Sequence, residues 1–182
     1  MPDRPLAATL MSCPGTYTLI LRVEDGMRLQ VGRFGVLQVH AGYYVYVGSA
    51  FGPGGVRARV AHHQRVASRP HWHIDYLRAC THLEHVWYTY DSQRREHQWA
   101  QVFAGIPDVA VPLVGFGASD CACVTHLFFF TGRPVFQTFQ RQLWAVCHKH
   151  APLYKTPSAF EPGEALWINP PFSSSTPTPR NP

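Results

Sequence analysis

Over residues 42–63 the chain changes its hydrophobic period within one short turn. In GYYVYVGS, Tyr44, Tyr46 and Gly48 alternate onto one face, the signature of a strand. Gly52-Pro53-Gly54-Gly55 then breaks the chain. Beyond it Val56, Val60 and His63 recur at helical spacing, which predicts a helix over residues 56–66. A strand passing through a tight glycine turn into a helix restricts the architecture to sheets with helices laid against them.

The remaining pattern decides which such architecture is expected. In GTYTLILRV, Tyr17, Leu19, Leu21 and Val23 share one face, with Thr16, Thr18, Ile20 and Arg22 on the other. Glu24-Asp25-Gly26 predicts a hairpin turn with MRLQV returning along the first strand. Arg33-Phe34-Gly35 turns the chain into VLQVH, and Ala41-Gly42 turns it into YYVYVG. After Pro70, HWHIDYLRAC reads as a second helix, LEHVWYTY as a strand, and SQRREHQWAQVFAG as a third helix capped by Asp91 or Ser92 and stopped by Gly105. TFQRQLWAVCHKH predicts one more helix. Hairpins join the early strands, which excludes a doubly wound fold. The expected class is α+β, a small, mainly antiparallel sheet with helices packed against it.

Residues 1–14 read as an N-terminal arm without a signal-peptide core, and 169–182 as a Pro/Ser tail expected to be disordered. Trp144 and Trp167 read as docking residues near the C-terminus. With 46% hydrophobic and 15% charged residues, the 182-residue chain has the composition of a folded domain. No run of about 18 apolar residues occurs, so no membrane-spanning helix is expected. Five cysteines in no disulfide-like spacing point to a reducing compartment, and cytoplasm is the expectation.

Charge narrows the partner. Between residues 56 and 78 lie Arg57, Arg59, Arg65, Arg69 and Arg78 with His62, His63, His71 and His73, against the single acid Asp75. Such a cluster suits a polyanion, and a solvated basic face accounts for it equally well. The glycine turn, with Gly54 and Gly55 at a helix start, offers N–H groups and a dipole that suit a phosphate. Arg59 and His63 lie one helical turn apart on a common face, a fork-shaped anion ligand beside a proton carrier. Glu96 stands three and four residues before Trp99 and Ala100 on an apolar stripe. A carboxylate there calls for a metal, or for a partner such as Arg57, Arg59 or Arg95. Tyr17 and Tyr46, by themselves, read as packing residues.

Taken in order, Gly15-Thr16-Tyr17, Tyr46-Val47-Gly48, Arg59 with His63, and Glu96 before His97-Gln98-Trp99 resemble the GIY-YIG endonuclease superfamily. AGYYVYVGSAFGPGGVRARV, PHWHIDYL and GFGASDCACVTHLFFF are similar to its Uri-type subfamily. The resemblance covers residues 15–130 as a nuclease domain and leaves 131–168 as a C-terminal helical extension. It implies the GIY-YIG nuclease fold and a metal-dependent endonuclease that hydrolyses phosphodiester bonds in DNA, with single-stranded and structured DNA among the candidate substrates. Tyr17 would then be the general base or water-orienting group, Tyr46 would orient the scissile phosphate, and Arg59 would neutralise the transition state. His63 would share proton handling, and Glu96 would hold Mg²⁺ or Mn²⁺. Gly48, Gly54, Gly55, Arg57, Arg65 and His73 would contact the substrate. GTY stands for GIY and YVG for YIG, and the late Asn common in the family has no assigned counterpart. Roles from DNA repair to restriction stay open.

Two features remain outside that set. Cys121, Cys123 and His126 form C-x-C-x-x-H, three ligands where a zinc site needs four; His71 or His73 could complete the set, but reduced cysteines packed near the site are the simpler reading. His71, Trp72, His73 and Asp75 could line a DNA groove, or Trp72 could close the core between helix and sheet. The rival function is a nucleic-acid-binding module that keeps the fold and does not cut.

Overall fold

The strand expected from GTYTLILRV forms as β1 (Thr16–Val23), and it occupies the middle of the sheet instead of one side of a hairpin. The computed structural model describes residues 10–157. Residues 1–9 of the arm and residues 158–182, with Trp167 and the Pro/Ser tail, lie outside the described residues. Along the chain follow β2 (Met27–Val31), β3 (Gly35–Val39), β4 (Gly42–Ser49), α1 (Gly55–Gln64), α2 (His73–Arg78) and β5 (His82–Thr89). Then come α3 (Glu96–Ala104), β6 (Leu127–Phe130), α4 (Phe136–Val146) and β7 (Leu153–Lys155). The order β6-β4-β1-β5-β7 makes a five-stranded sheet, antiparallel at every pairing, so the class is α+β.

One hairpin expectation is overturned. MRLQV does not return along β1; β2 pairs with β3 in a separate two-stranded sheet. The reason is burial on both faces of β1, where Tyr17, Leu19, Leu21 and Val23 enter one core and Ile20 the other. A strand so placed needs neighbours that are apolar on both faces. β4 and β5 supply them through Tyr44, Val45 and Val47 and through Val86 and Trp87, whereas β2 exposes Met27 and Arg28.

The first core lies between the sheet and α1, α2 and the β2–β3 hairpin, with Val56, Val60, Ile74, Leu77, Val31 and Leu37. The second lies under α3 and α4, with Trp99, Phe103, Phe139 and Leu143 around Trp87. Phe103 stacks on Phe139 at 4.3 Å between ring centroids, joining the two helices over the strands. Helices therefore cover both faces, and α4 and β7 belong to the same packed layers as the rest of the sheet.

α3 begins later than its capping residues predict. Asp91 does not cap it: Oδ1 accepts the N–H of Gln93, while Oδ2 accepts from Arg95 Nε at 2.8 Å and from the N–H of Ala151. Its carboxylate satisfies the buried guanidinium of Arg95, and the helix starts only at Glu96. The N–H of Arg95 donates to Thr16 Oγ1 at 3.0 Å, which sets the start of α3 beside the first residue of β1.

Candidate functional site

At the end of the sheet where β1 begins and β4 ends, Tyr17, Tyr46, Gly48, Arg59, His63 and Glu96 line one open cavity of about 240 Å³. β1 and β4 run antiparallel with Tyr17 opposite Gly48, so Tyr17 and Tyr46 project from one sheet face onto α1. The glycine is required at that register. A Cβ on Gly48 would lie 2.5 Å from the Tyr17 hydroxyl and 2.6 Å from Cζ.

α1 brings His63 over the strand, and its Nε2 meets the Tyr17 hydroxyl at 2.8 Å with both side chains buried. Arg78 Nε donates to the His63 carbonyl at 2.8 Å and fixes this turn of the helix. The other ring nitrogen of His63, Nδ1, is buried without a hydrogen-bond partner. Burial, reinforced by the nearby His62, pushes the His63 pKa down to about 3, so the imidazole is neutral at physiological pH. Burial also holds the Tyr17 hydroxyl well above the usual phenol range, and Tyr46 adds to the shift more than Arg59 offsets it. Tyr46 is raised by burial and by Glu96. Neither phenol ionises easily here; the Tyr17 hydroxyl is instead held in a hydrogen bond with a neutral imidazole.

Arg59 projects from α1 into the cavity with its guanidinium 4.4 Å above the ring of Trp72. Arg57, two residues earlier, is exposed and outside the lining. Trp72 packs on the first core and also lines the cavity. Glu96, the first residue of α3, turns to the cavity and not to the core stripe of Trp99, Ala100 and Phe103. No arginine among the described residues pairs with it; its ion-pair neighbour is His97 Nε2 at 3.5 Å. Asp120, opposite, also lines the cavity. Carboxylates free of guanidinium partners beside arginines able to receive phosphate fit a hard divalent cation such as Mg²⁺ or Mn²⁺.

Several expected substrate contacts lie elsewhere. The glycine turn is no anion cradle, because the segment before β1 uses the N–H groups at the start of α1. Val56 donates to the Cys13 carbonyl at 2.9 Å, and Arg57 to the Met11 carbonyl at 3.3 Å. Gly54 and Gly55 have positive φ, and a Cβ on Gly55 would lie 2.1 Å from the Cys13 oxygen, so these glycines serve that docking. Arg65 is exposed and returns its Nε to the Ala61 carbonyl. His73 Nδ1 accepts the N–H of Gly117 and so holds a residue of the lining without lining the cavity itself. Asp75 is buried and faces no groove: its carboxylate takes His62 and the N–H groups of His71 and Trp72. Arg78, counted in the basic cluster, is buried and bonds to Thr81.

The lining also contains residues that the sequence did not single out, among them Ser49, Arg94 and Gly117. Arg94 lies 4.9 Å above the Phe51 ring and donates to Ser49 Oγ, a second guanidinium held on an aromatic face. Its signal was present in the pair of basic residues just before Glu96, but only the delayed start of α3 turns one outward and buries the other.

An antiparallel sheet covered by helices on both faces, with a polar cleft at one sheet end, defines a small α+β domain of non-Rossmann type. Within that class the chain belongs to the family described as domain of unknown function DUF123, which matches residues 16–147. That span runs from the first residue of β1 past the end of α4 and includes every lining residue. Neither a curated protein nor a solved structure matches the chain.

No helix among the described residues is long and apolar enough to cross a membrane. All five cysteines are free thiols.

Proposed function

We propose that the chain is a GIY-YIG endonuclease of the Uri type, hydrolysing phosphodiester bonds in DNA with a divalent metal ion. The observation that carries this reading is convergence: Tyr17, Tyr46, Arg59, His63 and Glu96, spread over eighty positions of sequence, line one cavity. The cavity combines guanidinium groups with carboxylates. A module that only bound nucleic acid would gain nothing from Glu96 and Asp120, which repel phosphate unless a cation intervenes.

In the proposed reaction water attacks phosphorus in line with the leaving oxygen; the new P–O bond forms as the old one breaks. The water proton passes to the Tyr17 oxygen while the Tyr17 proton passes to His63 Nε2, so no free phenolate is needed. The raised pKa of Tyr17 argues against a free phenolate as base; the lowered pKa of His63 opposes the transfer until a bound phosphate brings negative charge beside the imidazole and raises it. Arg59, held in place by Trp72, neutralises charge on the equatorial phosphoryl oxygens, and Arg94 is positioned to assist. Glu96 would hold Mg²⁺ or Mn²⁺, and such an ion would supply charge compensation for the departing group. Tyr46 orients the phosphate from the neighbouring strand.

The test is cleavage of single-stranded, duplex, flap and mismatched DNA with Mg²⁺ or Mn²⁺, and in EDTA. Metal-dependent nicking that disappears in Tyr17→Phe, Arg59→Ala and Glu96→Gln supports the reading. Cutting by purified protein carrying all three changes overturns the site, and binding without cutting on every substrate favours the non-catalytic rival.

A further inference from the structure

Beside the cavity the fold gathers four side chains from two separate parts of the chain. Cys121 and Cys123 lie in the loop before β6, His126 lies at its end, and His97 is the second residue of α3. One ligand atom from each lies within 4.8 Å of each of the others. Cys121 Sγ and His126 Nε2 are 3.4 Å apart. With Zn–S near 2.3 Å and Zn–N near 2.0–2.1 Å, tetrahedral ligands stand roughly 3.4–3.8 Å from one another, so slight contraction of the cluster would suffice. The sequence supplied three of these ligands in C-x-C-x-x-H; the fourth comes from twenty-odd residues upstream, where only the packing of α3 against the loop brings it in.

We infer that His97, Cys121, Cys123 and His126 form a structural zinc site. Two thiolates and two imidazoles are a donor set that selects zinc over the hard cations suited to Glu96. Four protein ligands leave no open position, so the ion serves to hold the fold and not to activate water. The base of the loop is anchored, with Phe116 in the first core, Gly117 bonded to His73 and the His126 carbonyl accepting the Val47 N–H, while Cys121 and Cys123 at its tip stand only partly buried. The loop closes on itself through the N–H of Gly115 to the Val124 carbonyl and that of His126 to the Phe116 carbonyl, and it carries Gly117 and Asp120 into the cavity lining. Zinc would fasten this loop to the first turn of α3 and thereby fix Glu96, which contacts His97 directly. Cys121 and Cys123, two residues apart, would then stay reduced as ligands.

This inference goes beyond the nuclease reading and does not rest on it. Its test is the metal content of the full chain purified without chelator or added metal, with no DNA present. About one zinc per chain is expected. In Co²⁺-substituted protein the intense visible bands of a tetrahedral site and a thiolate-to-cobalt charge-transfer band are expected. Cys121→Ser with Cys123→Ser should lose the metal, and His97→Ala, at an exposed position where folding is spared, should weaken zinc binding at least 10-fold. Wild-type zinc no higher than in the double serine variant overturns the site, as does a cobalt spectrum lacking the thiolate band. Unchanged affinity and spectrum in His97→Ala overturn the four-ligand set. A chain that binds zinc but never cuts DNA refutes only the nuclease reading, and a zinc-free chain that cuts refutes only the zinc site.

Discussion

The hydroxyl of Tyr17 and Nε2 of His63 lie 2.8 Å apart across the junction of β1 and α1, both side chains buried. A strand residue and a helix residue thus share one proton at the edge of a water-accessible cavity. Tyr17→Phe removes the shared proton while keeping the ring that fills the core. We predict a stability loss of about 1–3 kcal/mol, from leaving the imidazole nitrogen without a partner. On the proposed chemistry the nicking rate falls by about 10²–10⁴-fold, the range for a positioned proton carrier. Thermal unfolding and single-turnover cleavage of the same preparation measure the two effects separately.

Acid sensitivity should follow from His63. Its folded pKa, about 3, lies below the ordinary 6.5, so between those values the unfolded chain binds a proton that the native chain excludes. The stabilisation is complete above pH 6.5 and drains away as pH falls toward 3. His73, His85, His126 and His150 are lowered by burial and act in the same direction. Tm measured against pH should therefore drop on the acid side, and His63→Gln should flatten that slope. A variant profile as steep as wild type would show that His63 is not the main contributor. On the alkaline side, Tyr17 has the opposite sign: its raised pKa favours the native state until the unfolded phenol ionises above pH 10.

Arg57 and Arg59 stand two residues apart and face differently, which allows a controlled comparison. Arg57→Ala, at an exposed position outside the cavity, should leave cleavage within about 2-fold of wild type, since lone surface charges contribute little. Arg59→Ala should reduce it by about 10²–10³-fold, the loss typical of a transition-state donor. Arg59→Lys should recover little, because an ammonium lacks the planar fork and stacks poorly on Trp72. Steady-state rates on one substrate, with circular dichroism of each variant, decide the matter. Equal losses for Arg57 and Arg59 would indicate general attraction to the polyanion.

Gly48→Ala is expected to be harmful although it adds one methyl group. The added Cβ would press on the Tyr17 ring, which is buried and held by His63, so the ring must leave its position. A stability loss of about 1–3 kcal/mol is expected from the overpacking, together with loss of cleavage. Gly52→Ala serves as the control, since its Cβ would meet only Arg59 Nη2 at 3.9 Å. Comparable Tm values for the two alanine variants would refute the steric account.

Periodicity and turn chemistry act between near neighbours, and features of that kind could be read directly. The alternation of β1 and the strand–turn–helix passage of residues 42–64 are of this type. So is the shared face of Val56, Val60 and His63, since a helix presents such a stripe whatever it packs on. β7 has no sequence signature, because three residues carry no period, and it exists because β5 offers it an edge. Tyr17, Tyr46, Gly48, Arg59, His63 and Glu96 are marked by the order of short motifs along the chain, whereas their common location, and the presence of Ser49, Arg94 and Gly117 beside them, depends on contacts between distant residues.

Those contacts decided what the sequence alone left open. Whether β1 pairs with β2 or with β4 and β5 depends on which strands can bury both of its faces. Whether the N–H groups at the start of α1 greet a phosphate or the chain depends on residues 11–13 folding back onto them. Whether Arg57 or Arg59 enters the cavity depends on the rotation of α1 over the sheet, set by Val56 and Val60 in the core. By itself the sequence determined the longer elements and the residue types available for chemistry, because local backbone preference and side-chain identity are carried by each stretch of chain. Only the tertiary structure decided the neighbours, because burial and hydrogen-bond satisfaction are settled over the whole domain at once.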